Sequence, residues 1–323
     1  MKRISKMIML AAGIALMLHP AISIGLDETA PVQNDAPTVG AEPVVTDDID
    51  SADSSDVDTR EFVLRYQFRK GESFRYHSEK LERLNITVGE QSKTDVTRTE
   101  QVRQFAVSNL DDSGRADLLM QFESVELSRQ VNDDAPVVYR SSMNPEEVPR
   151  MFAVFAKRLQ GKAARLSVVP TGASSNDVGE VIGSEDKDST AAWLVMPLPE
   201  KAVTIGETWK HLSSVKVRVA KDVMREIRML TTYRLDSVDD GIARIKFTTS
   251  PTIRLKSTSV QALLIAAVPR GYCLLDIEAG RIVQRVARNN RSVHGVKGPG
   301  SLLTYSAEAI ENLLPEDTSV SQR

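Results

Sequence analysis

One cysteine, Cys273, is present in 323 residues. A lone cysteine cannot form an internal disulfide, and it lies too far along the chain to carry a lipid next to an N-terminal signal. Within Tyr272-Cys273-Leu274-Leu275 its simplest role is a small buried hydrophobe. Histidine is almost as scarce, with His19, His77, His211 and His294 the full set. Metal centres need clustered ligands, and no two of these histidines stand at metal-site spacing, so the expectation is no metal and no cofactor. The chain also lacks a Gly-x-Ser-x-Gly elbow and a phosphate-cradling loop; Gly172-Ala173-Ser174-Ser175 is only a turn. A nucleophile needs an adjacent base and an orienting partner, and no such set is recognisable, so no catalytic residue is expected.

Long apolar runs are missing too. The longest opens the chain, Met7 to Leu18, behind Lys2, Arg3 and Lys6 and ahead of small residues at Ala21-Ile22-Ser23 and Ser23-Ile24-Gly25. It falls short of the ~20 residues that span a bilayer. Residues 1–25 therefore read as a cleaved export signal, giving a periplasmic or extracellular protein with no stable membrane span. Between Asp27 and Arg60 come ten acidic residues and a single arginine, with no aromatic side chain. That composition buries too little apolar surface to offset ordering entropy, and residues 26–60 are expected to be a disordered acidic linker.

From Glu61 the pattern changes to alternation. Phe62, Leu64, Tyr66 and Phe68 alternate with Val63, Arg65, Gln67 and Arg69 and predict a half-buried strand. Stretches near Thr94 to Val107 and Arg115 to Leu127 flank Asp111-Asp112-Ser113-Gly114 and predict an antiparallel pair. Asn144-Pro145-Glu146-Glu147 offers a cap, a first-turn proline and two acids. Val148, Met151, Phe152, Phe155 and Leu159 follow at helical spacing up to Gly161. Further alternation at Ser213–Val219, Met224–Leu235, Ile242–Phe247 and Arg281–Val293 predicts more strands. Leu263 to Val268 fits either a buried strand or a helix, and Ala307 to Leu314 is expected to be a short closing helix. The arginines along these segments, Arg281 and Arg285 among them, alternate with apolar residues. They are expected on a solvated outer face, not in a nucleic-acid groove.

An echo joins the two parts of this region. Gly71-Glu72-Ser73-Phe74-Arg75-Tyr76 returns as Gly206-Glu207-Thr208-Trp209-Lys210-His211, and each is followed by a strand, an acidic glycine turn and another strand. Such self-similarity predicts two related β units that pack together. The expected division is a first half at 61–173, a connector at 174–200, a second half at 201–314 and a tail at 315–323. Glu72 and Glu207 are the one carboxylate pair related by the echo, and turn residues are the expected role. Phe74 and Trp209 occupy matching positions; both are expected core anchors and are the only ligand-stacking candidates the sequence offers.

The segments Tyr66-Gln-Phe-Arg-Lys-Gly71-Glu72-Ser-Phe-Arg-Tyr76 and Pro197-Leu-Pro-Glu-Lys-Ala-Val203-Thr-Ile-Gly206-Glu207-Thr-Trp209, with Asp276-Ile-Glu-Ala-Gly280-Arg-Ile, resemble an uncharacterised family of exported, β-rich bacterial proteins. Ala202 between Lys201 and Val203, and the long acidic leader, depart from that pattern. The resemblance implies an envelope-facing β domain with no assigned activity. The expected fold is mainly β (α+β), with antiparallel curved sheets in two similar halves and a few short helices. The expected function is an exported, non-catalytic binding or carrier module for an apolar or extended ligand. A structural or assembly role through contacts with an envelope protein is the alternative, and a hydrolase with a dispersed site the third.

Overall fold

The computed structural model describes residues 59–159, 163–172, 194–220 and 223–315. The export signal, nearly all of the acidic linker, most of the connector and nearly all of the tail lie outside the described residues. The strands are β1 (Ser73–Val88), β2 (Gln91–Leu110), β3 (Ala116–Val131), β4 (Val137–Arg140), β5 (Ala164–Val168), β6 (Thr208–Ala220), β7 (Val223–Asp239), β8 (Ile242–Pro251), β9 (Arg270–Asp276), β10 (Arg281–His294) and β11 (Ser301–Leu313). They form one open, curved, antiparallel sheet in the order β4-β3-β2-β1-β11-β10-β9-β8-β7-β6, with β5 added beside β3. Tight hairpins make this inevitable locally, because strands joined by two or three residues must run antiparallel. At the β7–β8 hairpin Asp240 and Gly241 both take positive φ (48° and 78°), the backbone that a two-residue hairpin turn requires.

The expected halves share this single sheet. The first and last strands are neighbours at its centre, β1 pairing with β11 from Tyr76↔Leu313 to Val88↔Ser301. The two echoed turns make the same backbone bonds. Gly71 N–H donates to Val107 O (3.1 Å) and Val107 N–H to Glu72 O (2.9 Å); Gly206 N–H donates to Leu235 O (2.7 Å) and Leu235 N–H to Glu207 O (3.1 Å). A register shift follows each pair of bonds, at Val107/Asn109 and at Leu235/Ser237. Bulges of this kind sharpen strand twist and help the sheet curl.

Four sequence expectations are corrected. Ala307 to Leu314 is not a helix. It belongs to β11, hydrogen-bonded on both sides, with Tyr305, Ala309 and Glu311 buried on one face at strand period. The helix expected from Asn144 starts later: a 3₁₀ turn at Arg150–Phe152 leads into α1 (Ala153–Leu159). Pro149 holds ψ at 137°, an extended conformation, and proline also disfavours helical backbone at the residue before it. Phe62 to Phe68 is extended but is not a strand of the sheet. It crosses the sheet's end, tied by Phe62 and Val203, by Tyr66 N–H to Pro170 O (2.8 Å) and by Gln67 N–H to Gly280 O (3.1 Å). Arg281 and Arg285 are not on a solvated face. A bulge between Ile282 and Gln284 reverses the alternation and turns Arg285, 7% exposed, into the core. The ambiguous run near Leu263 is helical, as α2 (Thr258–Leu263) and a 3₁₀ turn at Ile265–Ala267. Its start is capped by Ser257, whose side chain accepts from Val260 N–H.

All three apolar clusters lie on one face of the sheet, hereafter the inner face. The largest fills the end crossed by Phe62–Phe68, where Leu64, Tyr66, Phe74, Phe105, Leu235, Ile245 and Cys273 meet Leu194–Leu198. The second joins Val215 and Val217 of β6 to Leu303 and Tyr305 of β11 through α2 and its 3₁₀ turn. Those strands stand five places apart in the sheet, roughly 24 Å if it were flat, so curvature and the α2 segment together close the gap. The third packs Phe152, Phe155 and Ala156 onto Val125, Leu127 and Tyr139.

Candidate functional site

Between the α1 cluster and the α2 cluster, the inner face of the central strands is polar. Alternation places Ser78, Lys80 and Glu82 of β1, Asp95, Thr97, Thr99 and Gln101 of β2 and Arg129 of β3 on this face. Lys80 Nζ lies 2.9 Å from Glu82 Oε1, with side chains 16% and 7% exposed. Glu82 also accepts from the Tyr305 hydroxyl, and Arg129 pairs with Asp95 across β2 and β3. Burial comes first in raising the Tyr305 phenol far above its ordinary value, and the Glu82 charge adds to it, so this hydroxyl stays a proton donor. Partly buried apolar residues extend the flanking clusters: Leu84, Ile86, Leu255, Leu263 and Val268 pack against the α2 cluster, and Met143, Val148, Met151 and Leu159 against the α1 cluster. The inner face is thus a charged, hydrogen-bonded floor between apolar borders.

Deeper in the core lies a second polar set. Arg103 Nη2 donates to Glu311 Oε2 at 2.5 Å, and Arg285 stands opposite Glu311 in the β10–β11 register. Burial pushes the Glu311 carboxyl up while the two guanidinium groups pull it down. Cys273, opposite Arg285, is fully buried, and desolvation lifts its thiol to about 11. A thiol so raised is held as the inert thiol. Tyr76 OH donates to Ile282 O at 2.6 Å, while Tyr66 OH donates to Met196 O and accepts from Met196 N–H. These groups hold the core together and are shielded from any solute.

The sequence candidates fall as follows. Phe74 is 6% exposed and stacks on Phe105 at 5.5 Å between ring centroids, and the Arg281 guanidinium lies over the Phe74 ring, 4.9 Å from its centroid. Trp209 stacks on Tyr233 at 5.6 Å but is only partly buried, and its Nε1–H donates to Pro197 O (2.8 Å). Both belong to the largest apolar cluster, away from the polar strip. Glu72 accepts from Arg281 Nη2 with both oxygens at 2.8 Å, and Glu207 Oε2 accepts from Thr204 N–H at 2.6 Å. Glu207 serves its own turn, and Glu72 ties its turn to the start of β10. Among the described residues, the hydrogen bonds of these carboxylates go to Arg281 and to the Thr204 backbone.

One grouping escaped linear spacing. His77, on the outer face of β1, has Nε2 at 3.2 Å from Glu100 Oε1 and 4.0 Å from Glu79 Oε1. The three potential ligand atoms lie within 4.8 Å of one another, and this is the one grouping of three or more such residues found among the described residues. The signal was a His-x-Glu on one strand, but its third member arrives only through the β1–β2 register. His211 lies on the inner face of β6, half-buried, and burial holds its imidazole below the ordinary value.

The fold and this face define a class: an open, curved antiparallel β protein whose inner face carries two short helical segments. No protein-family profile matches the chain, and no curated protein is significantly similar in sequence. Among the described residues, no helix is long and apolar enough to cross a membrane.

Proposed function

We propose that this protein is an exported, non-catalytic binding or carrier module, its curved sheet holding an extended or apolar ligand over the polar strip. The observation that carries the reading is the inner face itself. Lys80, Glu82 and Tyr305 form a hydrogen-bonded floor, and partly buried Leu84 and Ile86 continue the same face of β1 toward the α2 cluster. Mostly apolar walls with a few convergent polar groups are the usual chemistry of small-molecule sites. A chain-like amphiphile matches both, its tail on the borders and its polar end at Lys80 and Glu82. The N-terminal basic and apolar segments support export, and the resemblance to exported bacterial proteins points the same way. The reading of Gly71–Leu118 and Gly206–Ile245 as copies of one unit belongs to this proposal. The matched turn bonds support it.

Native mass spectrometry of protein purified from its own host tests the reading. The expected result is a retained small ligand that is lost when Lys80→Ala and Glu82→Gln are combined with folding intact. Protein that is always empty but carries a stoichiometric protein partner favours the assembly role instead. Robust turnover on ester, glycoside, phosphate or peptide panels, abolished in Glu72→Gln/Glu207→Gln, favours the hydrolase. N-terminal sequencing should start between Ile24 and Thr29; intact Met1 on cytosolic material overturns export.

A further inference from the structure

We propose that the outer face of β1 and β2 carries a divalent-metal site, with His77, Glu79 and Glu100 as ligands and Zn²⁺ as the best-fitting ion. The inference is independent of the carrier reading, because these residues lie on the opposite face of the sheet from the polar strip. Three observations carry it. First, the donors converge without rearrangement of the backbone. His77 and Glu79 are two apart on β1 and share its outer face, while Glu100 stands directly across from Glu79 in the β1–β2 register. Nε2 of His77 to Oε1 of Glu100 is 3.2 Å. Two ligands on one tetrahedral zinc, at bonds of about 2.1 Å, stand about 3.4 Å apart. Second, the charge arrangement favours an added cation. Glu126 of β3 lies across from Glu100 on its other side, so three carboxylates, Glu79, Glu100 and Glu126, form one row over three neighbouring strands. Like charges directly opposite each other in a sheet repel. Third, the counter-ion at the two proposed glutamate ligands binds loosely. Arg98 is 3.5 Å from Glu79 and 4.0 Å from Glu100 with 59% of its side chain exposed. An exposed guanidinium at those separations is readily displaced.

The donor set selects among ions. An imidazole with carboxylates suits zinc and its transition-metal neighbours, whereas Ca²⁺ takes six to eight oxygens and gains nothing from a ring nitrogen. Three protein ligands leave a fourth zinc position to water, and the site is open to solvent on the outer face. Each ligand sits on a long strand paired on both sides, so little ordering entropy remains to be lost on binding.

The test is isothermal titration of untagged full-length protein with ZnCl₂ and, in parallel, CaCl₂ at neutral pH. The expected result is one zinc equivalent per chain, no calcium isotherm, and loss of the zinc isotherm in His77→Ala and in Glu100→Gln. Arg98→Ala should tighten zinc binding, since it frees both carboxylates from their competing cation. Circular dichroism and the thermal midpoint of the metal-free variants show whether they are folded. Glu126→Gln gives a second arm: it touches no proposed ligand atom, and should leave a one-to-one isotherm in place. No saturable zinc binding up to millimolar, or zinc binding that survives both ligand substitutions in folded protein, overturns the site. Tighter binding on removing His77 does so too.

Discussion

Arg103 and Glu311, 208 positions apart in the chain, meet at 2.5 Å with side chains 1% and 2% exposed. Arg103 reaches over β1 from β2 to do so, and Arg285 of β10 faces the same carboxylate from the other side. Removing one member of a buried pair leaves a charge without adequate compensation. Arg103→Met should therefore cost about 3–5 kcal/mol in urea unfolding. Glu311 is raised in the folded state, so its contribution is fully present below its ordinary value of 4.5 and is lost as pH rises through the folded value. Taking Arg103 away raises it further, so the variant's penalty should shrink toward pH 4. A penalty that is flat with pH would mean that Glu311 is not the group left exposed to burial.

His211 works in the opposite direction. Burial lowers its folded value below 6.5, so its contribution to stability is present above that pH and is lost as pH falls through the folded value. Thermal midpoints at pH 7.5 and 5.5 should therefore differ by more in the unmodified protein than in His211→Asn. Equal differences would place the imidazole in water.

Phe74 and Trp209 occupy matching places with unequal burial. Phe74→Ala should cost about 3–5 kcal/mol, as large core truncations do. Trp209→Phe keeps the stack on Tyr233 and gives up the bond to Pro197 O, which should cost about 1 kcal/mol. A loss from Trp209→Phe as large as that from Phe74→Ala would show Trp209 to be the stronger anchor.

Gly271 is a matter of space. A Cβ there would come within 1.9 Å of Val286 O on the adjacent strand. Backbone cannot move aside as a flexible side chain can, so Gly271→Ala should abolish soluble, protease-resistant protein. Near-native yield would require a β9–β10 spacing different from the one described.

Strand alternation is a local property, and it was legible wherever a strand has one wet face. Hence β2, β3, β7 and β8 could be placed from sequence. Ala307 to Leu314 misled because alanines and glutamates favour helices in isolation, and only pairing on both sides makes that run a strand. Arg285 misled because a single extra residue at Val283 reverses inside and outside. Leu263 to Val268 was ambiguous for a different reason: a helix buried on every side has no polar stripe to reveal its period. The polar strip and the His77 grouping share one cause of invisibility. Their members lie on different strands and are assembled by hairpin register, which no spacing along a single strand encodes.

The pairing of β1 with β11 also governs when the molecule can exist at all. Most strands from β2 to β10 have a neighbour close in sequence, but the middle of the sheet waits for β11. Glu311, Ala309 and Tyr305 each complete a different interior contact, so the two larger clusters and the buried Arg103 pair wait for β11, whereas the α1 cluster does not. Long-range closure of this kind is slow and cooperative. The two larger clusters of the interior are consequently completed only when the C-terminal strand arrives, whatever order the earlier hairpins form in.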